Sequence, residues 1–485
     1  MIRRSANLIV LLGALLAISS SASAQSIDQN PRVKQALKLM QVWLDAQRDY
    51  QQIPGLSAAV VYDQQVIWSG GFGFADLARK TPATPSTIYS ICSISKLFTS
   101  IGVMQLRDEG KLRLDDPVGR HIPWFKIKRT DPQGPEITVE GLLTHASGLP
   151  RESDYPYWTG PEFNFPTREQ VKERIASQET LYPAETYFQY SNLGLTLAGE
   201  LVSSVSGEGY DAYVSKRILG PLGMKSTTPE IPEKERGGRL ATGYTAIRRD
   251  GARVPVTFFT ARGIAPAAGY ASTAEDLARF ASWQFRVLQR KGGEEVLKSN
   301  TLREMQRVHW VDPDFETMWG LGFAVSKNDG KMFVGHGGSC PGFRTQLLLK
   351  TDEKLATIFL ANAQGVNTGD FVQKMYDIVA PAIKALNKPM LLAQTRTDLA
   401  RFAGIYESGF SGETAIIEWE DGLAALGLPT MDPIKDLTKL RKIGENTFRR
   451  VRKDEALGET VVFELGGEGQ VVRMIWNSNQ YRRVR

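Results

Sequence analysis

Apolar residues at positions 33, 36, 37, 40 and 44 recur with helical spacing, and Asn30 followed by Pro31 supplies an N-cap and a first-turn proline, so residues 31–51 are predicted to form an amphipathic helix. The period then shortens. Residues 56–62 and 66–70, joined at Asp63-Gln64, alternate as a β-hairpin. A second β set comes late: residues 321–326, the turn Asn328-Asp329-Gly330, residues 332–335, then 345–350 and 356–360, followed by a helical pattern over 371–386. Between the two sets, residues 93–108 carry a stripe of Leu97, Ile101, Met104 and Leu106 that ends at Gly110. Ser272 and Glu275 make a capping-box pattern ahead of a helix reaching Gln289. The expected fold is α/β (α+β): the two β sets meet in one antiparallel sheet flanked by helices, with a large, mostly helical insertion between them.

Both ends read differently from this body. Beyond Lys388-Pro389 come short alternating segments at 415–419, 461–465, 471–476 and 481–484, separated by turns such as Glu420-Asp421-Gly422, which predicts a small antiparallel β-barrel. At the other end Arg3 and Arg4 precede an apolar run over 8–18, and Ala22-Ser23-Ala24 follows with the small-x-small spacing of a cleavage site. That run is shorter than the about 20 residues a helix needs to span a bilayer. The expectation is a signal peptide at 1–24, a main domain at 25–387 and a barrel domain at 388–485. The mature protein is then periplasmic or secreted, with no stable membrane insertion; a retained N-terminal anchor is the alternative.

Composition narrows the classes. With 42% hydrophobic and 23% charged residues the chain is neither disordered, collagen-like nor a coiled coil. Its 59 Lys and Arg are interleaved with 53 Asp and Glu, so no nucleic-acid partner is expected. From Pro389 onward 14 basic and 14 acidic residues cancel, so the last domain is no electrostatic platform. Four scattered histidines and two cysteines form no metal-ligand spacing, and no cofactor or metal is expected.

Three short elements carry candidate chemistry. Ser93-Ile94-Ser95-Lys96 places a hydroxyl and an amine at i and i+3 near a helix start, where they share one face. A lysine whose pKa is lowered by burial can activate such a serine. Alone, a pattern with two fixed letters arises by chance in a chain this long. Tyr190-Ser191-Asn192 adds a hydroxyl able to relay a proton and an amide able to hold a substrate amide. His336-Gly337-Gly338 closes a predicted strand, with glycines that leave its edge open and a following N–H that can serve an oxyanion hole.

In this order, S-x-x-K, Y-x-N and H-G-G resemble the three active-site elements of the serine β-lactamase-like superfamily, which includes class C β-lactamases, low-molecular-mass penicillin-binding proteins and related esterases and D-aminopeptidases. "EGKLRLDDPVGRHIP" at 109–123, "ITVEGLLTHASGLP" at 137–150 and the loop Gly338-Ser339-Cys340-Pro341-Gly342-Phe343 resemble further stretches of that family. The likeness covers residues 54–385 and implies the β-lactamase/transpeptidase-like fold. The last domain is similar, more loosely, to small barrels appended to some of these hydrolases. The resemblance implies Ser93 as the acylated nucleophile, Lys96 and Tyr190 sharing acid/base duty, an oxyanion hole from the N–H groups of Ser93 and Ser339, and substrate contacts at Asn192, His336, Gly337 and Gly338. His145 and Ser147 fall in a family segment read as structural, with a satisfied histidine.

Two departures shape the functional reading. His336 stands where the family pattern K-T-G has its lysine, so penicillin recognition is expected to be weak, and Arg344 is the candidate for the missing charge. No residue marks itself as a deacylating carboxylate. The leading expectation is an exported serine hydrolase that cleaves an ester or amide, the substrate being a D-residue-containing peptide, cell-wall-derived ones included, or a carboxylic ester. A true β-lactamase or D-Ala-D-Ala carboxypeptidase is the enzymatic alternative, and an inactive cell-wall peptide sensor the non-enzymatic one. The fold so read brings Cys92 and Cys340 to one site; a bridge between them is one reading, and two buried free thiols are the favoured one, because no sequence feature fixes the geometry of a bridge.

Overall fold

Asn30 caps the first helix as expected, its side-chain oxygen accepting the N–H groups of Arg32 and Val33, and α1 runs from Pro31 to Tyr50. The computed structural model describes residues 26–290, 294–388, 399–410 and 412–485. The leader at 1–24, the expected new N-terminus at Gln25 and the boundary residue Pro389 lie outside the described residues.

The two predicted β sets do join. One antiparallel sheet contains β1 (Gly55–Tyr62), β2 (Gln65–Asp76), β3 (Thr81–Pro82), β4 (Trp310–Val311), β5 (Met318–Trp319), β6 (Ala324–Asn328), β7 (Lys331–Cys340), β8 (Phe343–Lys350) and β9 (Leu355–Ala361). Their spatial order is β3-β2-β1-β9-β8-β7-β6-β5-β4. Sequence-distant β1 and β9 pair at the centre, Leu56 opposite Ala361 and Tyr62 opposite Leu355. Both faces of the sheet are covered, which is why β1 is buried from Gly55 through Val61 with no exposed face. On one face Ala59, Val61, Leu347, Leu349 and Leu360 enter the large core beneath the central helices. On the other, Ala58, Val60 and Phe359 pack under α1 and α5 (Thr368–Lys384).

Several boundaries differ from the sequence pattern. β7 does not stop at Gly335; it continues through His336, Gly337 and Gly338 because β8 pairs with it as far as Cys340 opposite Phe343. β6 begins only at Ala324, since Gly322 just before it adopts φ +82°. The N-cap of α4 (Ala274–Gln289) is Thr273, which accepts the Asp276 N–H; the Ser272 hydroxyl instead bonds to Thr227 Oγ1 at 2.8 Å. The central region is less helical than expected. Its long helices are α2 (Ser95–Asp108), α3 (Asn192–Ser206) and α4, and the remainder is short turns of helix and loop.

The C-terminal segment is a closed antiparallel barrel of eight strands: β10 (Gly404–Glu407), β11 (Glu413–Trp419), β12 (Gly422–Leu428), β13 (Thr438–Lys442), β14 (Thr447–Val451), β15 (Leu457–Leu465), β16 (Val471–Trp476) and β17 (Asn479–Arg483). Alternation had revealed four of them. Inside, the rings of Phe402, Phe448 and Phe463 pack together with centroids 4.8 to 5.5 Å apart. The barrel sits on α1. Ala415, Ile417, Ala424, Leu426 and Leu428 join the α1–α5 core, and Trp43 Nε1 and Gln47 Nε2 both donate to the Thr430 carbonyl, at 3.0 and 2.6 Å. It therefore lies across the sheet from Ser93. Trp43 also packs on Phe371 at 5.4 Å, so Trp43→Ala is expected to destabilise the protein by about 3–5 kcal/mol. A urea unfolding curve followed by fluorescence checks this value.

Candidate active site

Ser93 sits in a 3-10 turn, Cys92–Ile94, that leads into α2, and its side chain is partly exposed in a cleft of about 530 Å³. The turn is held from three sides. Thr345 Oγ1 donates to the Ile91 carbonyl at 3.1 Å, Ile91 N–H donates to the Tyr270 carbonyl, and Ser95 Oγ donates to the Cys92 carbonyl while accepting the Tyr270 N–H. Cys92 itself has φ +52°, a left-handed conformation that disfavours a residue with a Cβ. A bond to Cys340 of β7 pins it there, with the two Cα atoms 5.7 Å apart. The expectation of two free thiols is thus corrected: pairing of β7 with β8 brings Cys340 to Cys92, and this proximity is not written in either local sequence.

Lys96 lies one turn on, fully buried. Its Nζ donates to Asn192 Oδ1 and to the Ala267 carbonyl, both at 2.7 Å, and stands 3.2 Å from Ser93 Oγ. Asn192 and Ala267 offer only acceptor oxygens there, so they take two of the N–H groups and leave the third position of the nitrogen facing the Ser93 hydroxyl. Burial is the main cause that holds the Lys96 pKa well below that of a free lysine; the Glu152 carboxylate opposes this and the Arg151 cation reinforces it. Tyr190 completes the group, its ring 4.8 Å from Nζ. Burial raises its pKa, and the bond to the Ser93 hydroxyl partly offsets that. The arrangement is a hydroxyl, an amine with a lowered pKa and a phenol with a raised one in mutual reach, a set chemically able to carry acyl transfer.

The other expected residues divide. Asn192 and Ser339 line the cleft with Ser93. Asn192 is held at both ends in this state, because its Nδ2 donates to the Glu152 carboxylate at 2.9 and 3.1 Å. His336 is buried behind Tyr190 and Trp319; its Nδ1 lies 2.6 Å from the Gly337 carbonyl, and burial first, then Lys96, lowers its pKa to about 3. Gly338 is needed for packing: a Cβ there would come within 2.3 Å of the Ile91 carbonyl oxygen. Gly337 faces Gln346. Arg344 is a correction. It alternates with Thr345, so it points to the α5 face, where its Nε donates to the Val366 carbonyl at 3.2 Å, away from Ser93. His145 is also less satisfied than expected. Its Nδ1 accepts the Ser191 N–H at 3.1 Å, which places the ring hydrogen on Nε2, and Nε2 is buried without a partner.

Sequence reasoning missed Arg151 and Glu152. The Arg151 carbonyl accepts the N–H groups of Asn192 and Leu193 at the start of α3, and its guanidinium lies 4.9 Å from the Tyr190 ring centre. Glu152 bonds Asn192, pairs with Arg151 and accepts the Tyr157 hydroxyl. Their signal was only two charges directly after Pro150.

The family pattern described as Beta-lactamase matches residues 40–381. The chain belongs to the Beta-lactamase family. Protein flp of Staphylococcus aureus is 34% identical over 176 residues, 36% of this chain and 35% of flp, so the chain spans about a third of the length of that relative. Among solved structures, the octameric penicillin-binding protein homologue from Pyrococcus abyssi has a TM-score of 0.62 at 25% identity, covering 92% of this chain and 99% of the homologue. A D-stereospecific amidohydrolase from Streptomyces sp. shares the fold with a TM-score of 0.58 at 24% identity over 70% of this chain and 97% of its own.

Two outcomes follow from this geometry. Because the folded pKa of Lys96 lies below its unfolded value, the unfolded chain binds the extra proton below pH 10.5 and burial of this lysine costs stability there. Lys96→Met should therefore be more stable than the parent at pH 7, the difference shrinking as pH rises toward 10.5, as urea unfolding at both pH values would report. For the Cys92–Cys340 bond, thiol titration of unfolded, unreduced protein should find no thiol, and two after reduction. Cys340→Ala should cost about 2–5 kcal/mol in the same unfolding assay.

Proposed function

We propose that this member of the Beta-lactamase family is an exported serine hydrolase that cleaves esters or amides through an acyl-enzyme on Ser93. The observation that carries the reading is the buried Lys96 amine, 3.2 Å from Ser93 Oγ, with acceptors taking its N–H groups. In the proposed cycle Ser93 Oγ attacks the substrate carbonyl carbon as its proton passes to the Lys96–Tyr190 pair. The N–H groups of Ser93 and Ser339 receive the developing oxyanion. Collapse breaks the bond to the leaving group, which takes the proton back from that pair, and the same pair then activates water against the acyl-enzyme.

Carboxylic esters and D-residue peptides, cell-wall-derived ones included, are the proposed substrates; fold likeness to a D-stereospecific amidohydrolase supports the amide side. The buried, neutral His336 argues against efficient penicillin recognition, since it offers no cation to a β-lactam carboxylate. Export through the 1–24 leader is part of the reading, and the Cys92–Cys340 bond suits an oxidising compartment. A mature chain beginning elsewhere than Gln25 in N-terminal sequencing would overturn the proposed cleavage.

Ser93→Ala is expected to lower p-nitrophenyl ester hydrolysis by about 10,000-fold or more and to abolish labelling by a fluorophosphonate probe. Lys96→Ala should cost nearly as much, and the double variant little more, because residues acting as one unit lose activity non-additively. Steady-state kinetics on the three variants check this, and substantial turnover by Ser93→Ala removes the assignment. On the parent protein, p-nitrophenyl esters should be hydrolysed at least about 100-fold faster than nitrocefin, as expected where the cation is absent.

A further inference from the structure

The cleft around Ser93 is walled by Trp158, Phe163 and Val256, and among the described residues lining it Arg151 alone carries a charge. Its side chain is 59% exposed. The guanidinium pairs with Glu152 through Nε at 3.1 Å, while Glu152 is shared with Asn192 and Tyr157. Arg151 is also fixed at its base, because its carbonyl accepts the first N–H groups of α3, including that of Asn192. The two other basic candidates do not serve this cleft: His336 is buried behind Tyr190, and Arg344 points to the opposite face of the sheet. We propose that Arg151 is a specificity residue that takes a carboxylate of the substrate, so that the preferred substrates are anionic esters or amides with an apolar portion lying against Trp158, Phe163 and Val256. This rests on the serine hydrolase reading and adds the substrate class to it. The planar fork of a guanidinium suits a carboxylate, and its exposure in the cleft leaves it accessible to one.

Matched ester pairs test it. Mono-4-nitrophenyl succinate against 4-nitrophenyl pentanoate places the carboxylate on the acyl part; 3-acetoxybenzoate against its methyl ester places it on the leaving group. In the parent at least one pair should favour the anion. Arg151→Gln should lower that anionic-to-neutral ratio of kcat/KM by about 10- to 100-fold, chiefly through KM, with Arg151→Lys restoring part of it and Arg344→Gln leaving the ratio where it was. An unchanged ratio in Arg151→Gln, or an equal loss on both members of each pair, overturns the proposal; the equal loss is what an effect exerted only through the Tyr190 ring would produce. A second measurement does not depend on turnover. By calorimetric titration, the Ser93→Ala protein should bind 3-phenylpropionate more tightly than 3-phenylpropanamide, and the added Arg151→Gln change should erase the difference. Equal binding of the two overturns the proposal even if Ser93 proves catalytic, whereas an inert Ser93 with carboxylate-selective binding removes the hydrolase reading and leaves the Arg151 site standing.

Discussion

The site depends on how closely the last turn of β7 approaches the segment from Ile91 to Ser93. The hydroxyl of Thr345 reaches the Ile91 carbonyl, Cys340 is bonded to Cys92, and the space a side chain at Gly338 would need is already filled by the Ile91 carbonyl oxygen. Cys92 adopts a left-handed conformation at this junction. The residue after it, Ser93, projects into the cleft, and the residue before Cys340, Ser339, lines the same cleft. One cross-link thus fixes the segment that presents the proposed nucleophile against the strand that presents the proposed oxyanion donor.

Burial of Lys96 follows from the same packing. The first turn of α2 lies against the short helical segment around Ala267, whose carbonyl takes one N–H of the amine, and the amine is sealed from water. A lysine in that position costs stability, and the same burial, by lowering its pKa, makes the free amine available as a base at lower pH than in an exposed lysine, a combination found at functional sites. His145 and His336 are kept neutral by the same burial, which leaves the amine and the phenol as the groups able to exchange protons with Ser93 in this cluster.

The sheet separates this chemistry from the barrel. β-Strand alternation sends Leu347 and Leu349 toward the core beneath the site and sends Arg344 toward α5, so a shift of one position decides which face of the sheet a side chain joins. The barrel docks on the far face through α1, with Trp43 and Gln47 converging on one carbonyl. Among the described residues, those lining the Ser93 cleft end at Gln364, well before the barrel begins.

What the sequence determined by itself was local or periodic. The cap at Asn30, the β1–β2 hairpin, the i, i+3 spacing of Ser93 and Lys96 and the barrel character of the last segment all depend on neighbours a few residues apart. The ordered set of three motifs added the family through resemblance. Tertiary structure alone decided the rest. The extension of β7 through His336 needed β8 beside it; the Cys92–Cys340 bond needed two segments 248 positions apart to meet. Whether Arg151 or Arg344 faces Ser93 was settled by a loop seated on the N-terminus of α3 and by strand register. Composition and spacing encode what a segment can become, but distances between remote side chains arise only when the whole chain packs around one core.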